Sequence, residues 1–314
     1  MFYIAATILK LSIIALFGFI LYKKGLINDG ILKFLTGFVV NFTVPFLIFS
    51  NLIENHEVVL GYSLWKFLFI SIAIFSSGLL LAIITSGRHK HKFKREFLSL
   101  VSFQNAGYLP MNLAVFLFSG VLRQAFLVYV FLHLLGFNII MWSVGSFFIF
   151  KEKEESFNLK SLFTAPIIST AIGLLFVYTK AAAVIPAIIL DPVRMIGDVS
   201  FVLSMIVLGS WLAKVELQGS RSKTALIAKV AVNKLVVLPL IFFLILIIIN
   251  QRSLLGVFVV LQTAMPSAAS LPIIASMRRA DNDFISQGVF FTHICSIITI
   301  PVWLLILRFA GFYF

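Results

Sequence analysis

Ten residues in the first half of the chain, Phe103-Gln104-Asn105-Ala106-Gly107-Tyr108-Leu109-Pro110-Met111-Asn112, set three side-chain amides, a glycine and a proline inside an apolar run. Groups of this kind bind rather than react. Amides offer neutral donors and acceptors, and a helix weakened at Gly107 and broken at Pro110 exposes backbone N–H and C=O groups. The run, about Phe97 to Leu117, is long enough to cross a bilayer. Broken backbone survives at that depth only inside protein or beside a wet cavity. Asn105, Gly107, Pro110 and Asn112 are therefore candidate substrate contacts.

The second half repeats the pattern in Met265-Pro266-Ser267-Ala268-Ala269-Ser270-Leu271-Pro272, inside a span from about Leu254 to Met277. Sliding the first stretch by 162 positions lays Leu109-Pro110 on Leu271-Pro272; a slide of 158 lays Gln104 and Ala106 on Gln262 and Ala264. One interrupted hydrophobic segment per half is the sequence pointer to a secondary transporter's site. Pro266, Ser267, Ser270 and Pro272 join the candidates. The bland alternative is a pair of ordinary proline-kinked helices.

Other polar residues carry weaker signals. Asn41 and Pro45 mark a kink in the second span, where substrate contact and helix packing explain the asparagine equally well. Asp198 and Lys234 are candidate charge relays. Interfacial exposure is the simpler account of Asp198, and snorkelling or an internal partner that of Lys234. His133 and His293 lack neighbours at metal-ligand spacing and read as packing histidines, with proton coupling compatible. No Gly-rich phosphate loop, nucleophile elbow or zinc-type cluster is present, so neither a cofactor nor a catalytic residue is assigned and enzyme chemistry has little support.

Positioning these residues falls to membrane-spanning helices. The 314-residue chain is 61% hydrophobic and only 12% charged, and apolar runs near span length recur along it. We expect an all-α polytopic protein of ten spans. Those spans are about Ile4–Leu21, Ile31–Ile53, Leu64–Thr85, Phe97–Leu117, Gln124–Phe150, Leu162–Tyr178, Val193–Leu212, Ala225–Ile249, Leu254–Met277 and Ile285–Leu307. Residues 1–150 form a first five-helix repeat, 151–160 a charged cytoplasmic linker and 161–314 a second repeat. Between spans six and seven, Ala183-Val184-Ile185-Pro186 is expected as a short interfacial helix. The N-terminal run lacks a basic lead and a cleavage site, so it is expected to remain as span one. Cys295 is the one cysteine, which leaves no disulfide framework.

The net charge of +13 belongs to loops, so it signals topology and anionic lipid, not nucleic acid. Loops after odd-numbered spans hold Lys23, Lys24, Lys33, the cluster from Arg88 to Arg95, Lys151, Lys153, Lys160, Lys214, Arg221, Lys223, Arg278 and Arg279. The opposite loops hold only Lys66, Arg123, Lys180, Arg194 and Arg252, with Arg308 near the C-terminus. The first set is then cytoplasmic and both termini lie outside. Five spans per half is an odd number, so the halves must be inverted relative to each other.

With these features placed, the chain resembles the auxin efflux carrier family, which includes plant PIN proteins and bacterial malate or malonate permeases. The resemblance rests on Asn41-x-x-x-Pro45-Phe46-Leu47, Asn105-Ala106-Gly107-Tyr108-Leu109-Pro110, Lys234-Leu235-Val236-Val237-Leu238-Pro239 and Ala264-Met265-Pro266-Ser267-Ala268, leading through Ile274-Ala275 and Asp281 to Ile300-Pro301. It implies two inverted five-helix repeats with broken crossover helices four and nine, like sodium/bile-acid symporters and sodium/proton antiporters. Spans one, two, six and seven would be a scaffold, and spans three to five and eight to ten a transport domain. Asn105, Pro110, Pro266 and Pro272 would occupy the crossover, with Ser267 and Ser270 close by. Many relatives have asparagine in the second crossover, where this chain has those serines. The long cytoplasmic loop of plant PINs is absent.

The implied function is a permease or efflux carrier in a bacterial inner (cytoplasmic) membrane, moving a small organic anion, a carboxylate, by alternating access. The crossovers hold no Asp or Glu, which disfavours a strong sodium site and leaves proton coupling or uniport. Partners are the anion and the lipid bilayer, and a homodimer is compatible with this layout. The rival reading is a membrane-embedded ligand-binding sensor or structural partner without turnover.

Overall fold

The computed structural model describes residues 2–86, 93–141, 163–215, 221–272, 275 and 281–313. The chain in these segments is helical throughout, apart from turns and one isolated β-bridge. Helix α1 is Phe2–Lys23, α2 Asp29–Glu54, α3 Leu64–Ser86, α4 Lys94–Ser102, α5 Tyr108–Leu117 and α6 Gly120–Ile140. Then come α7 (Ala165–Tyr178), α8 (Ala187–Lys214), α9 (Lys223–Ile248), α10 (Leu254–Ala264) and α11 (Asn282–Phe309). Among the described residues six helices, α2, α3, α6, α8, α9 and α11, are long and apolar enough to cross a membrane. The shorter apolar helices are α5, α7 and α10.

Prolines shape these helices from within. Pro45 and Pro239 cannot donate to the carbonyl four residues back and would clash with it. In α2 the chain widens into a π-turn at Val39–Thr43, and in α9 at Asn233–Val237. The Leu235 carbonyl, deprived of its donor by Pro239, accepts instead from Trp303 Nε1 at 2.8 Å. That contact ties α9 to α11 and keeps the Leu235 carbonyl from being left bare in the apolar interior.

Packing is chiefly within two sets of helices. Helix α1 runs along α8, and α2 lies against α7 and α8. In the other set α3 packs on α4 and α6, and α9 on α10 and α11. The α1–α8 approach is backbone to backbone: a methyl at Gly209 would lie 1.7 Å from the Ala15 carbonyl oxygen, and one at Gly18 2.1 Å from that of Ile206. Close approach of this kind lets helices in lipid gain dispersion contacts where no hydrophobic drive separates them from the tails. Ser210 adds a hydrogen bond from its hydroxyl to the Gly18 carbonyl at 3.0 Å.

Two expected boundaries move. The stretch before span seven is a 3-10 turn at Ala181–Val184, and α8 begins at Ala187, with Pro186 as its N-cap, not near Val193. Proline at the N-cap needs no N–H donor, so the helix starts there at no backbone cost. The end of span five beyond Met141, the linker 151–160, most of the basic loop after α3, and Ile274, Arg278 and Arg279 lie outside the described residues.

Candidate functional site

Helix α4 stops at Ser102, and the backbone stays unwound through Gly107 until α5 starts at Tyr108. Helix α10 stops at Ala264 and the chain is unwound through Ser270. The two unwound segments lie side by side. Gln104 and Ser267 form an antiparallel bridge, with Asn105 N–H donating to the Pro266 carbonyl at 2.8 Å and Ala268 N–H to the Phe103 carbonyl at 3.0 Å. Each break thus satisfies the other.

Side chains complete the accounting. Pro110 sits in the first turn of α5, where a missing N–H is tolerated, and the Ala106 carbonyl, in the unwound segment before the N-cap Gly107, has no helical donor. Gln262 Nε2 donates to that carbonyl at 3.3 Å. Ser267 donates its hydroxyl to the Leu100 carbonyl at 2.7 Å and its backbone N–H to Thr292 Oγ1 at 3.2 Å. Asn105 Oδ1 accepts from Leu109 N–H at 3.4 Å, in the manner of a helix cap.

Two buried histidines hold the adjacent amides. His133 of α6 meets Gln104 Nε2 at 3.2 Å through Nε2 and the Ser71 hydroxyl at 2.8 Å through Nδ1. His293 of α11 meets Asn105 Nδ2 at 3.1 Å through Nε2 and the Val289 carbonyl at 2.8 Å through Nδ1. Sequence reading took both for packing histidines and missed these roles, because no local spacing links residues so far apart in the chain.

The crossing forms one end of a cavity of about 1150 Å³. Asn105, Gly107, Ser270, Pro272 and, from α2, Asn41 line it. Its mouth carries Lys33, Asp29 and Lys214, the last two paired at 3.0 Å, with Tyr22 donating its hydroxyl to Asp29 at 2.7 Å. Thr36 and Trp211 also line the wall and bond to each other, indole N–H to hydroxyl, at 3.1 Å. None of these residues was visible as binding chemistry in the sequence, where Lys33 and Lys214 read only as topology markers.

The remaining candidates sit elsewhere. Pro45 presents its carbonyl to the Ser169 hydroxyl of α7, and Pro110, Pro266 and Ser267 belong to the crossing without lining the cavity. Asn112 is fully buried and donates to the Tyr108 carbonyl at 2.8 Å and to Ser204 Oγ of α8 at 3.0 Å, so it joins α5 to α8 away from the cavity. Asp198 is exposed on α8, in the field of Arg194 and Arg123. Lys234 does not snorkel: its side chain is wholly buried and Nζ has no hydrogen-bond partner among the described residues. The π-turn sets it where the helix packs on α10 and α11, out of reach of an interface.

A family model described as a membrane transport protein matches residues 3–161 and 154–304, which is nearly the whole chain. No curated protein matched.

Proposed function

The chain belongs to the auxin efflux carrier family of membrane transport proteins, and from that membership we propose that it is a secondary transporter carrying a small organic anion, a carboxylate, by alternating access. The observation that carries this reading is the meeting of two unwound segments at the inner end of a cavity lined by Asn105. Of the α5 first-turn donors, Leu109 N–H is taken by Asn105 Oδ1 and Pro110 has none. The Tyr108 N–H and the Asn105 side chain are what this helix start offers an anion, together with its partial positive charge. Lys33 and Lys214 in the cavity lining are balanced in formal charge by Asp29 and Asp283, so the anion contact rests on the helix start.

The ten-span inverted repeat is part of this proposal. Exchanging residues 163 positions apart turns the Asn105–Pro266 hydrogen bond into the Ala268–Phe103 one, a local two-fold relation. That offset is one away from the slide that aligns the prolines and five from the alternative. Residues 1–150 and 161–314 would be the two repeats. The set α1, α2, α7 and α8 serves as scaffold, and α3–α6 with α9–α11 as the moving domain. By charge bias the cavity would open to the cytoplasm with both termini outside, and the resemblance to bacterial permeases is what supports a bacterial inner membrane. In this state the Asn112–Ser204 hydrogen bond closes the opposite side.

Counterflow in proteoliposomes tests the reading. Wild-type protein should exchange a labelled carboxylate from a panel of dicarboxylates, monocarboxylates and indole acids, and Asn105→Ala should raise the KM about tenfold. Wild-type-like exchange by Asn105→Ala with Pro110→Leu removes the site. Replacing sodium with choline decides whether sodium takes part.

A further inference from the structure

The two histidines at the crossing look alike but differ in one respect. His133 Nδ1 faces the Ser71 hydroxyl, which can donate or accept, so on that side of the ring either tautomer is satisfied. His293 Nδ1 faces the Val289 carbonyl, which only accepts. The ring proton of neutral His293 is therefore on Nδ1, and Nε2 is a bare acceptor. The group 3.1 Å from that acceptor must be a donor, which places the Asn105 Nδ2 amide nitrogen there and Oδ1 toward Leu109 N–H. A proton on Nε2 would require the amide to turn over.

We infer that His293 is a positioning residue that fixes the Asn105 amide so that its second N–H faces the cavity as a donor for a carboxylate oxygen. This rests on the transport reading above for what the donor meets. The amide nitrogen has two hydrogens; one goes to His293, and the other has no protein partner among the described residues. Asn105 lines the cavity and His293 does not, so the histidine acts through the asparagine. An amide free to rotate would present its carbonyl oxygen for part of the time, and that oxygen repels a carboxylate. The locked tautomer makes the site selective for acceptors over donors.

The test has two arms. Histidine-labelled 15N NMR of the full chain in lipid nanodiscs reads the tautomer directly, with the His293 signal assigned by its loss in His293→Gln. A protonated Nδ1 and bare Nε2 at neutral pH are expected; a protonated Nε2 overturns the inference. In proteoliposome counterflow, His293→Met, whose thioether accepts only weakly, should raise the KM about three- to tenfold with little change in saturated turnover. His293→Gln, whose side-chain oxygen can accept from Asn105, should restore a KM within about twofold of wild type. Equal KM values for the Met and Gln variants also overturn it. If His293→Met does not fold, the spectrum of the wild type and the Gln variant still decide. A wild type that exchanges no substrate sinks the transport reading alone, since the NMR arm needs no transport.

Discussion

Gln262 donates its side-chain N–H to the Ala106 carbonyl at 3.3 Å, and Ala106 precedes the N-cap Gly107, so its carbonyl has no helical donor. One half of the chain thus pairs a carbonyl that the helix break in the other leaves open. Removing the donor leaves a buried carbonyl unpaired, at about 1–3 kcal/mol. Gln262→Leu, which keeps the bulk but deletes the donor, should lower the melting temperature in detergent. A variant melting no lower than wild type would show that this pairing does not hold the break.

The same logic applies at Trp303 and the Leu235 carbonyl. Trp303→Phe keeps an aromatic ring but deletes the indole N–H, again at about 1–3 kcal/mol. Pro239→Ala supplies the missing helical donor and should offset the loss in the double variant. Additive losses in a thermal-shift series count against the assignment.

Asn112 and Ser204 join α5 to α8 by a 3.0 Å hydrogen bond with both side chains buried. Asn112→Ala, Ser204→Ala and the double variant form a cycle whose coupling should be about 0.5–1.5 kcal/mol in unfolding free energy. Zero coupling removes this contact from the account of the seal.

Gly209→Ala puts a methyl where the Ala15 carbonyl oxygen already lies, at 1.7 Å, so α1 and α8 must separate. Overpacking of this kind costs about 1–3 kcal/mol, and more where backbone cannot shift. The variant should elute poorly and melt early in fluorescence-detected size-exclusion chromatography, whereas Gly25→Ala, with open space around it, should lose only what its positive φ of 74° costs.

Topology is testable in a Cys295→Ser background. An impermeant maleimide on intact cells should label Val184→Cys, between α7 and α8, and spare Lys24→Cys after α1 until the membrane is opened. The reverse pattern would invert the assignment of the cavity mouth to the cytoplasm.

Much of this molecule was legible before any fold was built. Apolar run length decided that helices would cross a bilayer, because twenty apolar residues have no other stable place, and the family match agrees. Gly107 with Pro110, and Pro266 with the serines after it, mark the neighbourhood of both breaks, although Pro110 itself lies in the first turn of α5, where proline is tolerated, and the unwound stretch ends at Gly107. Folding decided where the released backbone groups found partners. Gln262 lies 156 positions from Ala106 and His293 lies 188 from Asn105, and no periodicity connects residues at those separations. Asn112 points to Ser204 and away from the cavity, although in sequence it looks as suited to a ligand as Asn105. Lys234 is interior because a π-turn before Pro239 and the packing of three helices place it there. Local backbone chemistry determines where a helix must open; which group then closes the gap depends on what the rest of the chain brings within about 3 Å.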